Sequence, residues 1–301
     1  MNKNKILVTG ASGFIGSSII TALNSHVDYE LAVVVRETSN TSHLPLGIQI
    51  YRVNQSLPRI QGSLLDFEPD LVIHCATLFL AEHSSENLQD LADANLIFPL
   101  NLLEAMKSAG CKNLLNIGSM WQHHEGIEAN PVNLYAGMKN AFESLLNYYI
   151  ANCGFKNSTL YLSDTYGPND KRRKLVNILI EKITSKDNYP LGMSPGLQKI
   201  DLLHISDVVS GIEVLVEALL GGEAVDAKYQ LSAATTYNLH EIVELLNEIS
   251  AQNLNIEWGK RPYRTNEVMQ VPQLFSAPKG WSPKVSLKQG LTELIGKEIY
   301  K

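Results

Sequence analysis

Tyr135 and Lys139 stand four residues apart in the segment Tyr135-Ala136-Gly137-Met138-Lys139. On a helix that spacing puts both side chains on one face, so the ammonium can lie beside the phenol. A nearby positive charge favours the phenolate and is expected to draw the tyrosine down from about 10 toward the working pH, as a general acid or base requires. A second chemical signal is Gly10-Ala11-Ser12-Gly13-Phe14-Ile15-Gly16, where glycines recur every three residues. Such a turn between strand and helix gives a tight bend, close backbone approach to a pyrophosphate and close helix-on-sheet packing. Exposed N–H groups and the helix dipole then favour phosphate.

These residues need a scaffold, and the order of elements supplies one. Lys5 to Thr9 reads as a buried strand, and the glycine turn leads into a helix through about Asn24. Leu31 to Val35, Ile48 to Val53, Leu71 to Ala76, Asn113 to Ile117 and Ser158 to Leu162 read as further strands, the apolar runs suiting strands covered on both faces. Leu88 to Ala109 has helical spacing and stops at Gly110, and a second long helix spans Leu134 to Ala151 behind Pro131. Strands alternating with helices imply crossovers and a parallel sheet, hence an α/β, Rossmann-type doubly wound fold. After Tyr166-Gly167-Pro168 the rhythm changes to helices between long irregular stretches, including Pro190 to Pro195 and Lys260 to Pro283. The expected organisation is a dinucleotide-binding domain over residues 1–165, with a return near 200–232, and a smaller interleaved substrate lobe over 166–301.

Composition narrows the function classes. In 301 residues, 45% are hydrophobic and 19% charged, values of an ordinary globular chain. A net charge of −6 argues against a nucleic-acid partner. The longest apolar run, Leu71 to Ala81, is too short to cross a bilayer, and the basic start Met1-Asn2-Lys3-Asn4-Lys5 is followed by too few apolar residues for a signal peptide. Cys75, Cys111 and Cys153 suggest neither a disulfide framework nor a zinc site, so the reading is a cytoplasmic protein without membrane or metal. Against the acidic background, Lys171-Arg172-Arg173-Lys174 is a local basic cluster, read either as phosphate contacts or as a solvated helix face.

Cofactor choice turns on the end of the second strand. Arg36 matches an added ribose phosphate in charge and geometry, whereas the adjacent Glu37 would suit the ribose hydroxyls of NAD. NADP(H) is the expected cofactor, with NAD the alternative.

With the glycine turn, Val72-Ile73-His74-Cys75-Ala76, Asn95, Ser119, the tyrosine and lysine, Tyr166-Gly167-Pro168 and Leu203-His204-Ile205-Ser206-Asp207-Val208 in order, the chain resembles the extended short-chain dehydrogenase/reductase family of nucleotide-sugar epimerases, dehydratases and reductases. The likeness covers essentially the whole chain. It implies a catalytic set of Ser119, Tyr135 and Lys139, with Ser119 holding the reacting oxygen and Lys139 also holding the nicotinamide ribose. Met120 would take the serine position if the alignment slipped by one, but a thioether cannot donate a hydrogen bond. The resemblance also places Gly10, Ser12, Gly13, Phe14, Ile15, Gly16, Asn54, Ala76, Thr77 and Asn95 at the cofactor; Asn54, Ala76, Thr77 and Asn95 read equally as core filler or caps.

Dehydratases of this family carry an acidic pair after the catalytic hydroxyl residue. Here Met120 and Trp121 follow Ser119, and neither exchanges a proton at neutral pH, which disfavours dehydration. The run from Gly118 through His123 and His124 to Tyr135 is similar to CDP-sugar 4-ketoreductases that make dideoxyhexoses such as abequose and paratose. The implied reaction is NADPH-dependent reduction of the C4 keto group of a nucleotide-diphosphate sugar for cell-surface polysaccharide. The alternatives are a 4-epimerase that retains NAD, or a dinucleotide-sensing protein without turnover. Asp164, Arg172, Arg173 and Trp121 are expected at the substrate. The family's pairing of two helices across a two-fold axis implies a homodimer, with Leu145, Tyr148 and Tyr149 offering apolar surface.

Overall fold

The computed structural model describes residues 3–185, 189–223 and 226–299; Met1 and Asn2 of the basic start lie outside them. The first half runs β1 (Asn4–Thr9), α1 (Phe14–Leu23), β2 (Tyr29–Arg36), β3 (Gln49–Val53), α2 (Leu57–Phe67), β4 (Leu71–His74), α3 (Leu88–Ala92), α4 (Phe98–Ala109), β5 (Asn113–Ser119), α5 (Leu134–Cys153) and β6 (Lys156–Leu162). The second half runs β7 (Asp164–Tyr166), α6 (Leu175–Thr184), β8 (Leu191–Gly192), β9 (Lys199–Ile200), β10 (Leu202–His204), α7 (Ile205–Leu220), β11 (Ala227–Leu231), β12 (Tyr237–Asn238), α8 (Leu239–Ser250), β13 (Ile256–Glu257) and α9 (Leu287–Ile299).

Seven strands form one sheet in the order β11-β6-β5-β4-β1-β2-β3, and each neighbouring pair is parallel. The fold is thus the doubly wound α/β type. Leu31 to Val35 and all of β4 are buried, because α1 and α7 pack on one face of the sheet and α2, α4 and α5 on the other. Strand order reverses between β1 and β4, so their carboxyl ends frame the crevice where such sheets bind ligands. A separate core gathers α6, α8 and α9 around Tyr166, Met193 and Leu202 beyond those strand ends. Among the described residues no helix is long and apolar enough to cross a membrane, and no group of three His, Cys, Asp or Glu could hold a metal ion.

Three differences from the sequence reading have physical causes. The helix α2 was not expected: Gly62 weakens its local preference, Pro58 falls in the first turn where proline is tolerated, and burial of Ile60, Leu64 and Phe67 against the core holds the helix. The stretch Leu88 to Ala109 is helical throughout and stops at Gly110 as expected, but it carries a π turn over Asp93–Ile97. Pro99 has no N–H for the ordinary bond back to residue 95, and the extra residue turns Asn95 inward, where it is 4% exposed. The irregular stretch Pro190 to Pro195 contains β8, which pairs with β13.

Candidate active site

The chain leaves β1 and turns at Gly10 with φ of +74°. A Cβ there would lie 2.6 Å from the Ala76 amide nitrogen, and one at Gly16 would lie 2.4 Å from the Gly10 carbonyl oxygen. Both approaches exclude any side chain: the first lets the ends of β1 and β4 touch, and the second seats α1 on the turn. Gly13 caps α1, and its N–H donates to the Gly10 carbonyl at 3.0 Å. Ser12 and Gly13 are exposed, with Phe14 and Ile15 half-buried behind them. A side-chain-free cradle at the start of a ten-residue helix fits a dinucleotide pyrophosphate.

Arg36 closes β2 and, like Glu37, is exposed. Sequence reasoning missed Arg52 on β3, which donates to the carbonyls of Glu37 (3.1 Å) and Ser39 (2.9 Å) and to Thr41 Oγ1 (2.8 Å), fixing the segment behind Arg36. Asn54, exposed just after β3, accepts at Oδ1 from Ser56 Oγ at 2.7 Å. Ala76 N–H donates to Thr9 Oγ1 at 3.3 Å. Asn95 is likewise occupied by the chain: Oδ1 accepts from Thr77 Oγ1 (2.7 Å) and the Leu78 N–H (3.1 Å), and Nδ2 donates to the Leu78 carbonyl (3.0 Å). It clamps the segment after β4 against the π turn between α3 and α4.

Asn133 starts α5, its Oδ1 accepting the Ala136 N–H at 3.0 Å, and α5 then presents Tyr135 and Lys139 on one face. They line a cavity of about 120 Å³ with Ser119, Thr77, Cys75 and Ile15. Met120 is 3% exposed and turned into the core, so Ser119, and not Met120, presents a hydroxyl to the cavity, with Trp121 also on its wall. The Tyr135 phenol is not brought down, as the sequence suggested, but pushed up to about 12 by burial; the Thr77 and Ser119 hydroxyls and then Arg172 oppose this. Lys139 does less than expected because its Nζ, 5.8 Å from the ring centroid, donates to the Ile117 carbonyl at 2.7 Å. Burial holds the Lys139 ammonium down to about 8, against the charges of Glu143 and Cys75. His74 beneath is driven to about 3, chiefly by burial and then by Lys139, so it is neutral and shares a proton with Thr9 Oγ1 at 2.9 Å.

A second cavity of about 750 Å³ adjoins the first, the two sharing Phe79, Trp121, Asp164, Thr165 and Lys174. Asp164 pairs with Lys174 at 2.7 Å. Arg172 is held by both carboxylate oxygens of Asp170 at 2.8 Å and by the Thr165 carbonyl at 2.9 Å, with its guanidinium 4.5 Å from the Phe14 ring. It therefore ties the glycine turn to the second lobe and also lines the small cavity, while exposed Arg173 lines the large one. Arg261 and Arg264, missed in the sequence, also line it; Arg264 stands 5.7 Å from the Trp121 ring and 4.0 Å from Glu82. The run Lys260-Arg261-Pro262-Tyr263-Arg264 was the available signal, hidden inside a stretch with no periodicity. His123 is buried between Tyr161 and Phe275, a core position. Of the expected dimer surface, Tyr148 is 57% exposed, but Tyr149 is buried, with its hydroxyl donating to Glu104 at 2.7 Å.

Comparison with known proteins agrees with this arrangement. A CDP-abequose synthase of Yersinia pseudotuberculosis is 32% identical over 268 residues, which are 88% of this chain and 90% of that protein. A CDP-abequose synthase of Salmonella muenchen is 24% identical over 97% of each chain. The structure of UDP-glucose 4-epimerase from Thermus thermophilus in complex with NAD superposes with a TM-score of 0.83 over 98% of this chain and 99% of that one, at 23% identity. Residues 6–227 match the model of the NAD dependent epimerase/dehydratase family. A strand-turn-helix cradle shaped for a dinucleotide, a tyrosine and lysine on one helix face beside it, and a family match over most of the chain converge: the chain belongs to the NAD dependent epimerase/dehydratase family and is an NAD(P)-dependent enzyme.

Proposed function

We propose that the protein reduces the C4 keto group of a nucleotide-linked deoxy or dideoxy sugar, carried on CDP, with NADPH, in the cytoplasmic synthesis of a cell-surface polysaccharide. The observation that carries this reading is the meeting of Ser119, Tyr135 and Lys139 in one small cavity that opens into a larger, cation-lined one. The residues after Ser119 support reduction over dehydration, since Met120 is in the core and Trp121 has no exchangeable proton at neutral pH. The name of the 32% identical relative supports CDP as the carrier.

Ser119 Oγ and Tyr135 Oη lie where both can donate to the keto oxygen, orienting the carbonyl and stabilising the alkoxide. Tyr135, held protonated by burial, gives its proton to that oxygen. Lys139 keeps a positive charge behind the phenol and holds the nicotinamide ribose. The glycine turn would hold the reduced dinucleotide, which would supply the hydride, and Arg36 would suit an added ribose phosphate. Arg173, Arg261 and Arg264 match the two phosphates of the substrate in charge, while Asp164 and Trp121 stand between the cavities at the sugar. Pairing of two copies across α4 and α5, with Tyr148 in the contact, belongs to the same reading.

A second reading, a nucleotide-sugar 4-epimerase retaining NAD, is favoured by Glu37, the carboxylate next to Arg36 at the end of β2. An assay at 340 nm with an enzymatically generated CDP-4-keto-dideoxyhexose separates the two. Loss of NADPH equal to the sugar reduced is expected, with NADH less effective, and Tyr135→Phe is expected to lower kcat by about 100-fold or more. A CDP-hexose bearing a 4-hydroxyl, run alongside and inverted at C4 without net NADPH loss while the 4-keto sugar is not reduced, replaces the first reading by the second.

A further inference from the structure

Beneath Ser119 lies a polar network that the reaction as described does not use. Ser119 caps a single 3-10 turn, Met120–Gln122. Gln122 is fully buried at 0% exposed; its Oε1 accepts the Ser119 N–H at 2.9 Å, and its Nε2 donates to Glu143 Oε1 at 2.6 Å and to Asn140 Oδ1 at 2.9 Å. Asn140 Nδ2 donates back to the Gln122 carbonyl at 3.3 Å. On the far side, the Tyr161 hydroxyl donates to Glu143 Oε2 at 2.7 Å. Tyr161 is itself fixed, stacked 4.7 Å from Phe275 and edge-on to His123 at 4.6 Å. Gly118 is required here, since a Cβ on it would lie 2.6 Å from the Tyr161 ring.

Glu143 follows Lys139 by one helical turn and Tyr135 by two, so all three share a face of α5. Both of its oxygens accept hydrogen bonds, which is how a partly buried carboxylate retains its charge. A proton on Oε1 would break this arrangement, because the amide nitrogen of Gln122 only donates and cannot receive it, and a proton on Oε2 would reverse the bond with the Tyr161 hydroxyl. Through that amide the state of Glu143 reaches the backbone of Ser119.

We propose that Glu143 is a positioning residue, which through Gln122 fixes the turn carrying Ser119 and through its charge keeps Lys139 an ammonium. The inference rests on the reductase reading of the site. The charged or titratable groups facing Glu143 are Lys139 on its own helix, Tyr161 on β6 and Lys228 on β11. Burial pushes its carboxyl up, and the bonds from Tyr161 and Gln122 and the charges of Lys228 and Lys139 oppose this. Lys139 in turn faces Cys75 and His74 at the end of β4, and Tyr161 also feels Glu128.

The test is the pH profile of kcat in wild type, Glu143→Gln and Tyr161→Phe. Glutamine fills the same volume, and its one amide oxygen can still accept from Gln122 while its amide nitrogen donates to the Tyr161 hydroxyl, but it carries no charge. Wild type is expected to lose kcat on the acid side as Glu143 takes up a proton. Glu143→Gln is expected to lack that limb and to sit on the order of 10-fold below wild type at neutral pH, with KM for the sugar held within about 2-fold. Tyr161→Phe, deprived of one donor to the carboxylate, is expected to keep the limb but move it up by about one pH unit. A merely structural role would scale kcat without moving either limb. Profiles of unchanged shape in both variants overturn the proposal. If wild type turns over no 4-keto sugar, the reductase reading fails by itself. The proposal is then read from NADPH affinity against pH, followed by nicotinamide fluorescence. Affinity lost at lower pH in Glu143→Gln than in wild type, as Lys139 discharges earlier, upholds it; coincident curves overturn it.

Discussion

The crevice at the glycine turn and the large cavity proposed for the substrate are built in opposite ways. The crevice is mostly backbone: Gly10 against Ala76, Gly16 against Gly10, and the open first turn of α1, all held by adjoining parallel strands of one sheet. The substrate cavity is side chains brought together from segments far apart in sequence, such as Phe79, Trp121, Arg173 and Arg264, around two-residue strands. A site made of backbone cannot change without moving the sheet, whereas a site made of side chains can be altered residue by residue. Substitutions should therefore be costly and shared across functions in the first region, and confined to the sugar in the second.

The largest effect is expected from Gly10→Ala. Alanine in the left-handed region costs about 1–2 kcal/mol, and forcing a methyl into the 2.6 Å gap beside Ala76 adds about 1–3 kcal/mol. The loss should appear together in the thermal midpoint and in dinucleotide affinity, because the same atoms serve both. A variant with normal stability that binds NADPH normally would break the comparison at its first term.

A smaller and narrower effect is expected in the other region. Arg264→Ala removes a cation from the wall of the large cavity beside Trp121, and losing one charge-assisted contact to a phosphate should raise KM for the nucleotide sugar about 10-fold. The Kd for NADPH, measured by fluorescence titration, should stay at the wild-type value. Equal losses of both ligands would show that the two regions are energetically one.

The same contrast explains what could be read from the amino acids. The crevice was legible because its requirements are local: a glycine every third residue after an apolar strand, and a tyrosine and lysine one helical turn apart. Those rules come from steric exclusion and helical geometry, which a contiguous segment reveals. Arg52, Arg261 and Arg264 were not legible, since what makes each of them part of a site is a partner tens of residues away. Gln122 and Glu143 belong to the same class, meeting only because β5 delivers its turn against the middle of α5. The Tyr135 expectation failed for a related reason: helix spacing predicts who stands beside the phenol but not how completely the fold removes water from it.

The smallest effect concerns buried titratable groups, and it has opposite signs in the two regions. His74, at the end of β4, has its folded value driven to about 3 by burial, against 6.5 when unfolded. Between those values the unfolded chain binds a proton that the folded one refuses, so stability is present above 6.5 and falls with pH, by up to about 1.4 kcal/mol per unit. Asp201, fully buried beside β10 with its Oδ1 accepting the Ala233 N–H at 2.8 Å, is raised from 3.8 by burial. There the folded chain holds the extra proton, so its contribution is complete below 3.8 and is lost as pH rises through the folded value. Thermal midpoints measured from pH 7 down to 5 should thus fall in wild type by about 2 °C per unit at the acid end. The fall should lessen in His74→Asn, which keeps a polar atom toward Thr9, without vanishing, because burial also holds His123, to about 4, and His204 below the usual histidine value; it should remain in full in Asp201→Asn. A slope unchanged in His74→Asn would mean that the sheet's acid sensitivity lies in groups outside the crevice.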